Sequence, residues 1–331
     1  MKSKKSRILF IDQLKGFAIL LVVIGHIYVY VLGSHSALEY KWLSTFHMHL
    51  FMFMAGLVAY KPVVCFNLSD CCSFLKKKAV ALLLPFIFVG LFYSWLIGDV
   101  GSLFTSLMHN GYWFLLVLFE IFIIYCIAQY ILVRYNSQNK VYKDLLVYIL
   151  LYLVIAVPYV FNFVSGTLKA CLSWQFFNHY YPYFILGVLI RKYSTFENLL
   201  YKNYVYTIAL FIYIFSFSVY IKYSVHYLLY FMPVMAILAF YYLFRRYSSN
   251  LFGGKILGFL GTKTLDIYVL HFLFLSPALF LKDFMPNIVL SVFGTLLYAL
   301  MIISLCLLLS KLIKSSNLFS VLLLGHFANK K

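Results

Sequence analysis

The chain alternates between apolar runs and short polar breaks, and the runs are about twenty residues long, the helical length that crosses about 30 Å of hydrocarbon. This pattern predicts helices near 8–33, 44–60, 79–98, 111–133, 144–163, 178–190, 203–221, 226–244, 264–281 and 288–310. The breaks are rich in Asn, Ser, Gly and Lys, as in Tyr135-Asn136-Ser137-Gln138-Asn139-Lys140 and Ser248-Ser249-Asn250. No polar segment exceeds about twenty residues, which leaves no room for a soluble domain. The expected fold is therefore all-α: a polytopic membrane protein of about ten transmembrane helices, with residues 1–331 forming one membrane-embedded domain. No internal repeat is visible, so an inverted-repeat transporter lacks support from the sequence.

Composition agrees with this reading. Hydrophobic residues make up 64% of the 331 positions and charged residues 11%, whereas a soluble domain carries about 25% charge. The formal charge of +18 would suit a nucleic-acid partner, but its distribution argues against one. With the N-terminus inside, 22 of the 27 Lys and Arg residues fall in the N-terminal tail, 61–78, 134–143, 191–202, 245–263 and the C-terminal tail. The opposite side holds only Lys41, Lys169, Lys222 and Lys282, and Lys15 lies inside the first helix. This is the positive-inside pattern. It predicts both termini in the cytoplasm and a multi-pass protein of a cell membrane, most simply a bacterial inner membrane. Met1-Lys2-Ser3-Lys4-Lys5-Ser6-Arg7 followed by an apolar run imitates a signal peptide, but the run is too long and Asp12 and Lys15 interrupt it. It is expected to remain as the first helix. Cys65, Cys71 and Cys72 fall in an inside loop, and Cys126, Cys171 and Cys306 have no partner spacing, so all six read as structurally neutral. Interfacial belts account for most of the 30 tyrosines, including Tyr180, Tyr181 and Tyr183 near a helix end.

Ionisable side chains within membrane helices are costly, and they usually face a protein interior or a water-filled cavity. Asp12, Lys15, His26, His47, His49, Glu120, Asp266 and His271 form that set. At 100° per residue, Lys15 and His26 lie about 20° apart on the first helix, and Asp12 and His26 about 40° apart in the other sense. All three share one face, and Asp12 and Lys15 can pair as i,i+3 neighbours. Snorkelling of Asp12 and Lys15, and a satisfied core histidine at position 26, are the simpler alternatives. His47 enters the second helix at a depth comparable with His26, while His49 points about 200° away, so His47 is the candidate partner. Histidines at i,i+2 miss the i,i+4 spacing of a helical zinc site, and no metal is expected. There is no GxSxG elbow and no Walker-type loop. Asp266 sits in a first helical turn, where a carboxylate complements the helix dipole. His271, deeper in that helix, could line the same cavity. Glu120 is either a helix–helix hydrogen-bonding group or a cavity residue.

The stretch Ile11-Asp12-Gln13-Leu14-Lys15-Gly16 through Gly25-His26 resembles the first-helix signature of the membrane-bound acyltransferase 3 family, a basic residue, ten intervening positions and a histidine. Lys15 with Gly25-His26 is most similar to the fucose 4-O-acetylase-like branch. Phe46-His47-Met48-His49-Leu50-Phe51-Met52-Phe53-Met54-Ala55-Gly56 resembles that branch's FHMPLFFFxSG segment. Trp113-Phe114-Leu115-Leu116 with Leu118-Phe119 resembles its WFLxxLF stretch, Tyr183-Phe184-Ile185-Leu186-Gly187 its YFxxG segment, and Thr264-Leu265-Asp266-Ile267-Tyr268-Val269-Leu270-His271 its SLxIYLLH element. His49 stands where the branch has proline, Met54-Ala55 replaces a small-Ser pair, and Thr264 replaces Ser.

The resemblance implies an integral-membrane O-acyltransferase that moves acetyl from acetyl-CoA to a hydroxyl of a cell-surface polysaccharide or lipid-linked sugar. With the reading of the residues above, the candidate catalytic residues are His26 and His47, with Lys15 and Asp12 at the donor and Trp113, Glu120, Asp266 and His271 as candidate cavity-lining residues. The expected partners are acyl-CoA, the glycan or lipid-linked sugar, and membrane lipid, with no bound cofactor and no nucleic acid. O-acylation needs a base for the hydroxyl proton, and histidine suits that task near neutral pH. The alternative from another class is a membrane transporter or flippase for a small acyl or glycan compound, with the intramembrane charges forming a path.

Overall fold

The computed structural model describes residues 8–61, 67–135, 140–276 and 287–326. The terminal tails, Cys65, Lys282 and the end of the helix expected to reach 281 lie outside the described residues. The elements in chain order are α1 (Leu9–His26), α2 (Leu38–Ser44), α3 (His47–Ala59), α4 (Leu68–Leu96), α5 (Ser102–Thr105), α6 (Trp113–Arg134), α7 (Val141–Val160) and α8 (Gly166–Cys171). They continue with α9 (Trp174–Lys192), α10 (Ser194–Leu200), α11 (Asn203–Tyr223), α12 (Leu228–Tyr247), α13 (Gly254–Thr262), α14 (Thr264–Leu270), α15 (Ile288–Ile313) and α16 (Asn317–Leu324). Among the described residues there is no strand. Among the described residues, eight spans are long and apolar enough to cross a membrane, or nine when the bent pair Gly254–Gly261 and Thr264–Phe274 counts as one. The protein is thus all-helical and membrane-spanning. The run expected at 178–190 corresponds to α9, which is not one of these spans; Asn178, His179 and its tyrosines dilute its apolar character.

Two compact units emerge. One comprises the chain up to Met54 together with Ser194–Leu307, and the other Ala55–Tyr193 together with the segment from Leu308.

In the first unit, α1 is the central element. It packs against α12, α13, α14 and α2. Leu21 of α1 joins Leu43, Phe46, Tyr213, Met232 and Ala236 in a buried cluster. The Thr45 hydroxyl meets the Tyr213 hydroxyl at 2.8 Å, satisfying two polar groups where α2 turns into α3. Arg245 pairs with Glu197 at 3.1 Å.

The segment 245–263, expected as a polar loop, is largely helical. α12 continues to Tyr247, and α13 lies closely against α1. The glycines that read as loop punctuation instead form a small-residue face. Gly254, Gly258 and Gly261 are spaced i, i+4, i+7 and approach Gln13, Leu9 and Asp12 of α1. Across the same seam, Gly16 lies against the carbonyl of Leu257. Small residues let membrane helices bring their backbones together, because lipid supplies no hydrophobic force to do so.

In the second unit α6 packs against α4, α7 and α9. α4 starts earlier than the expected position 79, because the Asn67 side chain accepts from the Asp70 N–H at 2.8 Å and caps it. Lys76, Lys77 and Lys78 therefore ride on a helix instead of a loop. Asp144, fully buried, pairs with Lys192 at 2.5 Å, and Gln129 donates to the Tyr148 hydroxyl at 2.7 Å. Tyr180, Tyr181 and Tyr183 are buried within the protein. Tyr180 stacks on Trp113, and Tyr181 donates to the Tyr148 carbonyl at 3.1 Å. α16 packs on α4 through Gly325, which meets the Ala81 backbone. The described cysteines, Cys71, Cys72, Cys126, Cys171 and Cys306, are free thiols.

Candidate active site

α1 runs without a break from Leu9 to His26, so the shared face of Asp12, Lys15 and His26 follows from ideal helical geometry. Lys15 and Asp12 form an ion pair at 3.9 Å and retain 25% and 19% side-chain exposure. Eleven residues separate Lys15 from His26, which on a helix is about 16 Å along the axis.

Directly after His26 the helix widens into a π-helical turn, Ile27–Val31, in which Leu32 N–H bonds to Ile27 O at 3.0 Å. Single π turns inside α-helices recur at functional sites, because they redirect a side chain without ending the helix. The apolar pattern of Ile27-Tyr28-Val29-Tyr30-Val31 carried no signal for it.

α14 supplies the second histidine. α13 and α14 meet at a 72° bend, and α14 tightens into a 3₁₀ turn at His271–Phe274. Residues 26 and 271 thus both stand where a helix changes its pitch. His26 Nδ1 and His271 Nε2 are 2.7 Å apart, and the rings lie within 6° of parallel with centroids 5.0 Å apart. Phe272 and Tyr30 flank His26, at 4.8 Å and 5.6 Å between centroids. His271 is fully buried, whereas His26 keeps part of its surface accessible.

His47, at the first position of α3, is also close. A methyl group added at Gly25 would stand 3.6 Å from His47 Nε2. The Nδ1–H of His47 donates to the Leu43 carbonyl at 2.9 Å. A carbonyl can only accept, so the Nε2 of neutral His47 is an acceptor. His49 is buried on the same helix. Among the described residues no group of three His, Cys, Asp or Glu side chains is arranged to hold a metal ion.

Across residues 8–313 the chain matches the acyltransferase 3 family, described as an acyltransferase domain. The chain belongs to this family. No curated protein and no solved structure matches it significantly.

In this acyltransferase the candidate residues divide between the two units. The first unit holds Asp12, Lys15, His26, His47, Asp266 and His271, and brings His26, His47 and His271 together. Asp266 is buried in the first turn of α14. Trp113 and Glu120 belong to the second unit. Trp113 packs against Phe176 and Tyr180, with ring centroids 4.3 Å and 5.1 Å away. Both carboxylate oxygens of Glu120 are enclosed without a hydrogen-bonding partner among the described residues. The pairing of His271 with His26 is the main feature that the sequence left open, since 245 residues separate them.

Proposed function

We propose that this acyltransferase moves an acetyl group from acetyl-CoA to a hydroxyl of a cell-surface polysaccharide or a lipid-linked sugar. His26 takes the hydroxyl proton as the oxygen attacks the thioester carbonyl. The C–S bond breaks, CoA leaves as a thiolate, and the proton held by His26 is passed to it. His47 presents an acceptor nitrogen near Gly25, to which a neighbouring hydroxyl of the same sugar donates, and so orients the acceptor. Lys15, with Asp12 as its ion-pair partner, binds the anionic donor nearer the cytoplasmic end of α1. Both termini then face the cytoplasm.

The observation that carries this reading is the accessible His26 bonded to a buried second histidine, inside a chain of acyltransferase family. An alcohol is a weak nucleophile, and a positioned base contributes about 10²–10⁴ in rate, so an intramembrane histidine has a clear chemical use here. Family membership favours catalysis over a carrier.

Mass spectrometry of surface glycan from a deletion strain and its complemented parent is the test. The complemented strain should carry alkali-labile acetyl esters that the deletion strain lacks. Identical ester content in both would overturn the assignment.

Lys15 gives a narrower expectation. Lys15→Ala should raise the KM for acetyl-CoA by about 10-fold, the loss of one charge-assisted contact of roughly 1.4 kcal/mol, while Lys15→Arg keeps most activity. Donor titration in washed membranes measures this. Full activity of Lys15→Ala at limiting donor would mean that the side chain only snorkels.

A further inference from the structure

We infer that His271 is a positioning residue that fixes which nitrogen of His26 carries the proton, and so keeps the other nitrogen of His26, Nε2, free as a base. This rests on the proposed role of His26, but its structural part can be tested without turnover.

The argument follows the direction of the hydrogen bonds. His271 Nδ1 lies 2.6 Å from the Tyr268 carbonyl and 3.2 Å from the Ile267 carbonyl. Carbonyl oxygens only accept, so Nδ1 of His271 must hold the hydrogen. A neutral imidazole has one N–H, which makes Nε2 of His271 an acceptor. The atom 2.7 Å away, His26 Nδ1, must then be the donor. His26 is thereby held as the Nδ1–H tautomer, with the lone pair on Nε2. Protonating both nitrogens of His271 would reverse the middle bond, but it would place an imidazolium at a site of 0% exposure in a membrane-spanning bundle, where burying a charge is expensive.

The backbone sets this direction. α14 ends at Leu270, directly before His271, whose own backbone N–H bonds to the Ile267 carbonyl. The histidine side chain folds back onto that turn. When His26 accepts the hydroxyl proton at Nε2, the imidazolium keeps its Nδ1–H bond to His271 Nε2, so the charge forms next to a lone pair already aimed at it. Returning the Nε2 proton to the CoA thiolate restores the starting tautomer, and no proton needs to leave the pair.

The experiment is solid-state ¹⁵N NMR of the full chain, histidine-labelled, in lipid bilayers, with His26 assigned by comparison with His26→Ala. Wild-type His26 should show a protonated Nδ1 and a bare Nε2. His271→Gln, whose Oε1 can accept the same bond, should keep that tautomer and stay within about 10-fold of wild-type ester formation. His271→Leu should move His26 toward the Nε2–H form and lower ester formation by up to about 10⁴-fold, as expected when a catalytic histidine is held in the wrong tautomer. A wild-type His26 protonated on Nε2 would overturn the inference, and so would equal activity of the Leu and Gln variants. If the Leu variant fails to fold, the wild-type and Gln spectra decide. Full activity of His26→Ala would instead remove the base assignment and leave the tautomer result standing.

Discussion

Ester formation should fall by about 10²–10⁴-fold in His26→Ala at matched levels of protein in the membrane, because a general base contributes that much to rate. Insertion is not expected to suffer, since removing a polar side chain from a membrane helix makes it more apolar. Alanine does leave His271 Nε2 without its partner, which costs about 1–3 kcal/mol when a buried group loses its bond. His26→Gln separates the two effects. Its amide can donate to His271 and hold α1 against α14, yet it cannot take a proton from a sugar hydroxyl. Both variants should therefore lose ester formation, while only His26→Ala loses thermal stability. His49→Ala, on the other face of α3, should cost much less. Near wild-type ester content in His26→Gln would remove the base assignment.

How far the sequence foretold this arrangement depends on the range of the interaction. Lys15, Asp12 and His26 could be grouped because one helical period relates them, and α1 is continuous between them. The separation of His47 from His49 followed from the same period, and it is His47 that lies beside Gly25. The bond from His26 to His271 obeys no period. It depends on how α14 leaves a bend after α13, and a local pattern carries no information on that. α13 itself was hidden by its own packing device. Gly254, Gly258 and Gly261 with Lys255 and Lys263 have the composition of a cytoplasmic loop, and only a neighbouring backbone shows the glycines as a contact face. The π turn after His26 was equally silent, since an extra residue in one turn leaves an all-apolar run looking the same. The start of α4 was misplaced for the converse reason. Three lysines read as a loop boundary, whereas the cap that sets the helix is Asn67.

The seam between α1 and α13 makes the second large prediction, and it concerns three glycines that look alike in the sequence. A Cβ at Gly261 would overlap the Asp12 carbonyl oxygen and stand 2.6 Å from its carbon. One at Gly16 would overlap the Leu257 carbonyl oxygen and stand 2.7 Å from its carbon. One at Gly258 meets only side-chain atoms, Leu9 Cδ1 at 3.7 Å and Gln13 Cγ at 3.8 Å, which is ordinary contact. Gly16→Ala and Gly261→Ala should each destabilise the first unit by at least the 1–3 kcal/mol or so typical of overpacking, because backbone cannot move aside as a side chain can. Gly258→Ala, on the same helix face, should be neutral or gain up to about 1 kcal/mol from better helix propensity. Trimming the partner side chain with Leu257→Ala should not rescue Gly16→Ala, since the obstacle is the carbonyl. The measurement is thermal unfolding of detergent-solubilised protein, read beside ester formation in membranes. Activity should fall along with stability at Gly261, because α13 leads through the bend into α14, and any outward shift of α13 carries His271 away from His26. Equal melting temperatures for the three alanine variants would show that the two helices are not in backbone contact, and the placement of His271 against His26 would fail with it.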